Sequence, residues 1–161
     1  MARLARVSVL PLDQSWGLGA VERPLLLWID DFVAGLALYR AMFENLGFRV
    51  LTASRGSEGL ELAAAHRPDI IVTDYEMPGM DGEAVALAVK TMSPATPVVM
   101  FSGSTLVPSR VRHTVDAVCD KAGSRDQLIG VIHHLLRKKR SSSLQPPPVA
   151  PASDVGHRTV A

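Results

Sequence analysis

The sequence predicts an α/β fold in which a doubly wound sheet of five parallel strands carries helices on both faces. Two observations support this prediction. Five short apolar runs are spaced along the chain, and stretches with helical periodicity separate them and follow the last. This alternation is typical of parallel sheets, because two parallel neighbours must be joined by a crossover that is usually a helix. The predicted strands are residues 25–29, 48–52, 70–72, 97–101 and 117–119.

Residues that favour helix ends bound the predicted helices. Gly47 is expected to end the first helix, and Pro68 follows the second, residues 56–66. Asp81 is a candidate N-cap of the third helix, and the fourth, within residues 108–114, is expected to be short or irregular. The expected buried positions of the first, third and last helices are Leu36, Phe43 and Leu46, then Val85, Ala88, Val89 and Met92, then Leu128, Val131, Ile132 and Leu135.

Composition indicates one folded domain between two extensions. The chain has 161 residues, of which 47% are hydrophobic, so one core can be buried. Residues 24–140 are the predicted domain. Residues 1–23 show no sustained periodicity and are expected to form an irregular extension. Residues 141–161 are rich in Ser and Pro and are expected to form a disordered tail.

Charge and cysteine content argue against several classes of protein. The chain carries 17 Lys and Arg against 16 Asp and Glu, which gives no general attraction to nucleic acid or anionic membranes. Four cations at residues 137–140 are more typical of a solvated helix end. No apolar run reaches the length of a membrane span. The single cysteine, Cys119, excludes an internal disulfide and is expected to pack in the fifth strand. A cytoplasmic protein is the resulting expectation.

Polar residues follow four of the five predicted strands. Asp30 and Asp31 follow the first strand, Asp74 the third, Ser102 the fourth and Lys121 the fifth. Because the carboxyl ends of parallel strands meet at one edge of a sheet, these side chains are expected to lie close together.

That set of side chains suits phosphoryl transfer. Clustered carboxylates repel each other unless a cation shares the site, and Mg²⁺ is the divalent ion that suits a few carboxylates and several waters. A metal ion, an ammonium and a hydroxyl together neutralise a phosphoryl group in transfer. One carboxylate would then act as the nucleophile and form an aspartyl phosphate.

Four segments resemble the receiver domains of two-component response regulators. They are residues 27–32 (LWIDDF), 73–82 (TDYEMPGMDG), 98–103 (VVMFSG) and 118–121 (VCDK). The resemblance covers about residues 24–137 and implies the flavodoxin-like receiver fold, here as a stand-alone domain like a chemotaxis response regulator. The order and number of the matching segments make chance a poor explanation.

Carried over residue by residue, the resemblance implies a role for each site residue. Asp74 would accept the phosphoryl group from a sensor histidine kinase or a histidine phosphotransfer protein. Ser102 and Lys121 would contact the phosphoryl oxygens. The implied Mg²⁺ ligands are Asp30, Asp31, Asp74 and the backbone carbonyl of Glu76.

The sequence departs from the family pattern near Lys121. Ala122 stands where the family usually has a proline in a cis peptide bond. A cis bond before a residue other than proline costs about 3 kcal/mol, so a trans bond is predicted. Val118 replaces the aromatic residue of many members, and the short spacing from Ser102 to Lys121 again predicts a short fourth helix.

The expected function is a single-domain response regulator that signals through an unknown output protein, with a phosphorylation-dependent dimer as one option. It would not be an enzyme beyond its own phosphorylation and dephosphorylation. One alternative is a receiver-fold scaffold or adaptor that acts without phosphorylation. Another is a phosphohydrolase of the haloacid dehalogenase type, but Asp74 and Glu76 do not supply its Asp-x-Asp motif. The near-zero net charge argues against direct binding to nucleic acid.

Overall fold

A computed structural model of the chain describes residues 23–103 and 107–143. It contains one sheet of five parallel strands in the order β2-β1-β3-β4-β5, which confirms the predicted fold class. The strands are β1 (Leu25–Ile29), β2 (Arg49–Ala53), β3 (Ile70–Thr73), β4 (Val98–Ser102) and β5 (Ala117–Asp120). The helices are α1 (Val33–Asn45), α2 (Gly56–His66), α3 (Gly82–Met92), α4 (Val111–Thr114) and α5 (Arg125–Ser143).

The strand order places a topological switch point between β1 and β3. From β1 the chain runs outward to β2, then crosses back to β3 and continues outward through β4 and β5. One apolar core therefore joins α1 and α5 to one face of the sheet, around Trp28, Phe43 and Ile132. A second core joins the remaining helices to the other face, around Ile71 and Val85. In open sheets of this kind, ligands bind beyond the carboxyl ends of the strands at the switch point.

An aromatic cluster lies in the first core, directly beneath the carboxyl ends of β1 and β4. The ring of Trp28 stacks on that of Tyr39 with centroids 4.2 Å apart and an interplanar angle of 9°. The ring of Phe101 is nearly perpendicular to both rings, with its centroid 5.5 Å from each of theirs, a geometry that aromatic quadrupoles favour. The indole Nε1 of Trp28 is buried without a hydrogen-bond partner among the described residues. Cys119 lies in the same core, as predicted.

Two residues that were predicted to lie in the core, at the ends of α1 and α3, are exposed in the structure. Gly47 ends α1 with a φ of 90°, as predicted, but Leu46 is the C-cap residue and remains 37% exposed. Met92 lies in the last turn of α3 and is 52% exposed, whereas Ala86 is fully buried.

β2 begins one residue later than predicted, because the amide of Phe48 donates to a carbonyl of α1 instead of pairing with β1.

α4 is as short as predicted, whereas α5 is longer than predicted. α4 has four residues, which confirms the prediction of a short fourth helix. α5 continues to Ser143, three residues into the segment that was predicted to be tail. The hydroxyls of Ser141, Ser142 and Ser143 each donate to the carbonyl one turn earlier, which ties these residues to the helix. The rest of that segment, and residues 1–22 of the predicted extension, lie outside the described residues. No helix in the described ranges is long and apolar enough to cross a membrane.

Candidate functional site

Backbone hydrogen bonds extend the sheet ladder to the residues that follow the strands. The amide of Asp74 donates to the carbonyl of Ile29 at 2.8 Å, and the amide of Lys121 donates to the carbonyl of Ser102 at 3.0 Å. These bonds hold the predicted site residues in register with their strands. The structure thus brings Asp30, Asp74, Ser102 and Lys121 to one edge of the sheet.

Lys121 links two of the carboxylates. Its ammonium lies 2.7 Å from Oδ2 of Asp30 and 3.1 Å from Oδ2 of Asp74. Burial lowers the pKa of Lys121, but the hydrogen bonds to Asp30 and Asp74 outweigh it and leave that pKa above its ordinary value. Lys121 therefore stays protonated and supplies the positive charge that the buried Asp30 side chain, 3% exposed, requires.

Asp74 is held by both of its carboxylate oxygens. Oδ1 accepts from the amide of Tyr75 at 2.7 Å, and Oδ2 faces Lys121. Burial raises the pKa of Asp74, and the neighbouring Asp30 adds to the rise, whereas Lys121 and the Tyr75 amide lower it. The net rise means that the ionised carboxylate is incompletely compensated by the protein groups around it, so an added cation would stabilise it.

Three carboxylates form a group that fits a hard cation. One oxygen each from Asp30, Asp31 and Asp74 lies within 4.8 Å of the others. Asp30 and Asp74 are buried, whereas Asp31 is exposed, so the group opens to solvent on one side. Oδ1 of Asp30 is oriented by the amide of Phe32 at 2.9 Å. Oxygen ligands around an open position are what a divalent metal ion requires.

The loop after β3 lies beside this group. Glu76, whose side chain is exposed, lines an open cavity of about 490 Å³ together with Asp31 and Asp81. Oδ1 of Asp81 accepts from the amide of Ala84 at 2.8 Å, which confirms Asp81 as the N-cap of α3. Glu76 therefore shares this cavity with Asp31, and the role of its backbone carbonyl as a metal ligand stays a prediction.

Gly82 fixes the approach of α3 to the site. Its amide donates to the carbonyl of Tyr75 at 2.9 Å. A Cβ atom at this position would overlap the backbone carbonyl oxygen of Asp74, so only glycine allows this approach. The same carbonyl accepts from the hydroxyl of Thr73 at 3.0 Å.

In the segment after β5, the backbone amide of Ala122, at the position where the family usually has proline, makes a hydrogen bond. No peptide bond among the described residues is cis, so the predicted trans bond before Ala122 is confirmed. The amide of Ala122 donates to Oδ1 of Asp120 at 2.8 Å, and the amide of Gly123 donates to the carbonyl of Asp120 at 2.9 Å. A proline at position 122 has no N–H and could not make the first of these bonds. The sequence analysis assigned no role to Asp120.

Tyr39 and Arg110 are neighbours of the site that the sequence analysis did not identify. Burial raises the pKa of Tyr39, and the charges of Lys121 and Asp30 both act on it. Arg110 forms a bidentate ion pair with Glu83, with Nε and Nη2 at 2.9 and 3.0 Å from its two oxygens. This pair joins the short α4 to the start of α3. Both positions resemble ordinary helix residues in the sequence, and no local pattern distinguishes them.

A family model described as the response regulator receiver domain matches residues 26–132 of the chain. The chain belongs to this family. The predicted family and fold are therefore confirmed.

Among curated proteins, this receiver domain is similar to the transcriptional regulatory protein PrrA of Mycobacterium tuberculosis. The two are 33% identical over 126 residues, which cover 76% of this chain and 54% of PrrA. It is also 29% identical to the autoinducer 1 sensor kinase/phosphatase LuxN of Vibrio harveyi, over 76% of this chain and 15% of LuxN. The chain thus spans about half or less of the length of these relatives.

Solved structures share the fold. A CheY-like receiver domain protein from Methanospirillum hungatei aligns with a TM-score of 0.71 at 22% identity, over 74% of this chain and 98% of that one. Response regulator protein TrrA of Thermotoga maritima, crystallised in complex with Mg²⁺ and BeF, aligns with a TM-score of 0.66 at 21% identity, over 70% and 98%. The Francisella response regulator 1452 receiver domain aligns with a TM-score of 0.66 at 28% identity, over 72% and 98%.

Proposed function

We propose that this receiver domain is the phosphoacceptor of a two-component phosphorelay and that Asp74 takes a phosphoryl group from a phosphohistidine. The donor would be a sensor histidine kinase or a histidine phosphotransfer protein. The observation that carries the proposal is the position of the Lys121 ammonium between Asp30 and Asp74, at 2.7 and 3.1 Å. A nucleophile, a cation and two further carboxylates then meet at one solvent-accessible edge.

The proposed reaction is a displacement at phosphorus. A carboxylate oxygen of Asp74 forms the new P–O bond while the P–N bond to the donor imidazole breaks, and the electron pair stays on the imidazole nitrogen. Lys121, already in contact with Asp74, would pair with a phosphoryl oxygen as negative charge is transferred to the site. Ser102 would donate its hydroxyl to another. Water later hydrolyses the acyl phosphate and regenerates the carboxylate.

Magnesium is the cofactor that the donor set supports best. Bound Mg²⁺ would neutralise the phosphoryl oxygens during transfer. Asp30, Asp31 and Asp74 would hold it together with the backbone carbonyl of Glu76, because these are hard oxygen ligands grouped at an open edge. The complex of TrrA with Mg²⁺ and BeF, on the same fold, supports this choice.

The test is mass spectrometry of the intact protein after incubation with acetyl phosphate and Mg²⁺. The wild-type protein is expected to gain one phosphoryl group and the Asp74→Ala variant none, because the proposed nucleophile is the Asp74 carboxylate. Adding a chelator is expected to abolish the adduct on the wild type. An adduct of equal yield on Asp74→Ala would sink the assignment of Asp74.

Output through protein contacts is also part of the proposal. Turnover would be limited to phosphorylation and dephosphorylation of Asp74, so the protein would act as a switch and not as an enzyme. The scaffold alternative is favoured by the four-residue α4, because little helix is available there to respond to the site. Failure of acetyl phosphate and of a panel of histidine kinases to label a folded, Mg²⁺-saturated protein would favour that alternative.

An apolar surface beside the site supports docking of a helical phosphodonor. Phe32 and Val33, immediately after Asp31, are 65% and 66% exposed, and Leu38 is 63% exposed. Ala34, Ala37 and Ala41 of α1 are also exposed and lie at helical spacing with Val33 and Leu38. Small and apolar side chains on one helix face suit close packing against another helix.

Leu38→Glu should therefore distinguish phosphorylation by acetyl phosphate from phosphorylation by a protein donor. The variant is expected to be labelled by acetyl phosphate at the wild-type rate, because Leu38 makes no part of the site. Transfer from a phosphorylated histidine kinase or phosphotransfer protein is expected to fall by about tenfold or more, since a charge is placed in an apolar contact. Leu87→Glu, at a 54% exposed position on α3, is the matched control and should leave both rates unchanged. Equal transfer to both variants would exclude this docking face.

A further inference from the structure

A second pocket lies at the opposite edge of the sheet from Asp74. It has a volume of about 550 Å³ and is formed between the ends of α2 and α3 and the last turns of α5. Its walls include the residues that lead into β3 and β4, so it lies at the amino ends of the strands. The lining residues used below are Ala63, Arg67, Ile71, Val89, Met92, Ser93, Thr96 and Lys139.

The inner wall of the pocket is apolar. Ile71 and Val89 belong to the second core and are almost completely buried, and Ala63 packs against that core. Met92 stands at the mouth with 52% of its surface exposed. An apolar ligand group placed here would cover Met92 and extend the core.

Lys139 brings a partly desolvated cation to the pocket. Its ammonium donates to the carbonyl of Asp69 at 3.1 Å and lies 3.8 Å from the Asp69 carboxylate. Burial lowers the pKa of Lys139, and the charge of Asp69 only partly restores it. An ammonium carries more N–H donors than the one carbonyl uses. Lys139 can therefore donate to a ligand without losing its bond to the backbone.

Asp69 does not fully satisfy that cation. Its Oδ2 accepts from the amide of Leu25 at 2.8 Å, which holds the carboxylate toward the start of β1. The ends of α2 and α3 add only partial negative charges from their last carbonyls. The pocket therefore retains positive character.

Arg67 supplies the second cation at the rim. It is the C-cap of α2, with a φ of 48°, and its amide donates to the carbonyl of Ala63 at 3.0 Å. Pro68 follows and restricts the backbone further. The guanidinium of Arg67 makes no hydrogen bond or ion pair with any other residue within the described ranges. Its planar N–H groups suit carboxylate or phosphate oxygens.

Two hydroxyls complete the polar side of the pocket. Oγ of Ser93 and Oγ1 of Thr96 lie 2.8 Å apart, and Thr96 is only 5% exposed. A hydroxyl can both donate and accept, so the one that is not donating within the pair can donate its O–H to a ligand oxygen.

We propose that this pocket binds a small organic anion, with a carboxylate or phosphate head between Arg67 and Lys139 and an apolar body against Ile71, Val89 and Met92. The volume lies within the range of about 300 to 1,000 Å³ that is usual for small-molecule sites. Both cations and the apolar wall are needed for the argument, since either alone is common on protein surfaces. The site is separate from the carboxylates at the other edge.

The experiment is an NMR titration of the ¹⁵N-labelled full chain, followed through backbone amide shifts. The probes are hexanoate and hexyl phosphate. Acetate, which lacks the apolar body, and hexylamine, which has a cationic head, are the controls. At least one of the two anionic probes is expected to bind saturably and to shift amides around Thr96 and Arg67. Acetate should bind at least about fivefold more weakly, because it lacks the apolar body, and hexylamine should not bind there at all.

Matched variants locate the head group. Arg67→Met is expected to weaken binding of the better probe at least about fivefold without affecting the fold, because Arg67 has no partner among the described residues. Lys138→Met, a neighbouring exposed cation outside the pocket, should leave the affinity unchanged. A preference for hexyl phosphate over hexanoate would identify the ligand class as a phosphate monoester, and the reverse preference as a carboxylic acid.

Three results would overturn the proposal. They are equal binding of hexylamine and hexanoate, wild-type affinity in Arg67→Met, and shifts that cluster at Asp74 instead of the pocket. Asp74→Ala is expected to bind the probes as the wild type does, so the outcome is independent of the phosphoacceptor function.

Discussion

Lys121→Met is expected to lower the free energy of unfolding by about 3 kcal/mol in the absence of divalent metal. Removal of one partner of a buried ion pair leaves the other charge uncompensated. Here Asp30 is 2% exposed and would face Asp74 with no cation between them. Urea denaturation at neutral pH in the presence of a chelator measures the loss.

Magnesium is expected to restore most of that stability. An ion that binds only the folded protein stabilises it by about 2.7 kcal/mol at a hundred times its dissociation constant, and the variant has a more negative site than the wild type. The same variant should be labelled by acetyl phosphate about a hundredfold more slowly, since one fixed positive group at the transferred phosphoryl is lost.

Lys138→Met is the matched control for this substitution. Lys138 is an exposed lysine in α5, so its replacement should change the free energy of unfolding by no more than about 0.5 kcal/mol. If Lys121→Met were as stable as the wild type without metal, the ion pairs at 2.7 and 3.1 Å would not hold the carboxylates together.

Gly82→Ala is the second substitution with a large expected effect. The added methyl group would overlap the backbone carbonyl oxygen of Asp74 and come within 2.9 Å of the sulfur of Met100. Because backbone cannot rotate away as a side chain can, we expect a loss of about 3 kcal/mol of stability. Displacement of Asp74 by even about 1 Å should slow labelling by acetyl phosphate by about a hundredfold.

Gly130→Ala tests the same change where space is available. Gly130 lies within α5, and a Cβ atom there would meet no described atom within 4 Å. Alanine in a helix interior is favoured over glycine by about 0.5 to 1 kcal/mol, so this variant should be stabilised. Thermal unfolding of both variants, with labelling at a temperature where both are folded, separates misplacement of Asp74 from general destabilisation. Wild-type labelling in a folded Gly82→Ala protein would contradict the positional argument.

Much of this fold and site was predictable because the relevant signals are local. A strand buried on both faces is a continuous apolar run, and the residue that follows it lies at the sheet edge. Asp30 and Asp74 could therefore be placed near each other without any knowledge of the contacts between them. The N-cap at Asp81 and the helix end at Gly47 follow from side-chain size and backbone conformation alone.

The contacts that were missed join positions distant in the sequence. Arg110 and Glu83 are paired across two helices, and Lys139 reaches from the last helix to the loop before β3. Neither pair has a periodic pattern, and surface ion pairs are too weak to constrain a sequence strongly. Leu46 and Met92 were assigned to the core because helical spacing continued to the helix ends, but the sheet does not cover those last turns.

The stack of Trp28 on Tyr39 gives this domain a built-in optical probe. Trp28 lies two residues before Asp30. Phe101, whose ring is nearly perpendicular to the indole with centroids 5.5 Å apart, directly precedes Ser102. A shift of Ser102 toward a phosphoryl group would move the Phe101 ring across the indole and alter its emission. With Trp16 replaced by Phe, Trp28 would be the only indole in the chain. The state of the edge that carries Asp74 could then be followed in real time, without a label, as a change in fluorescence.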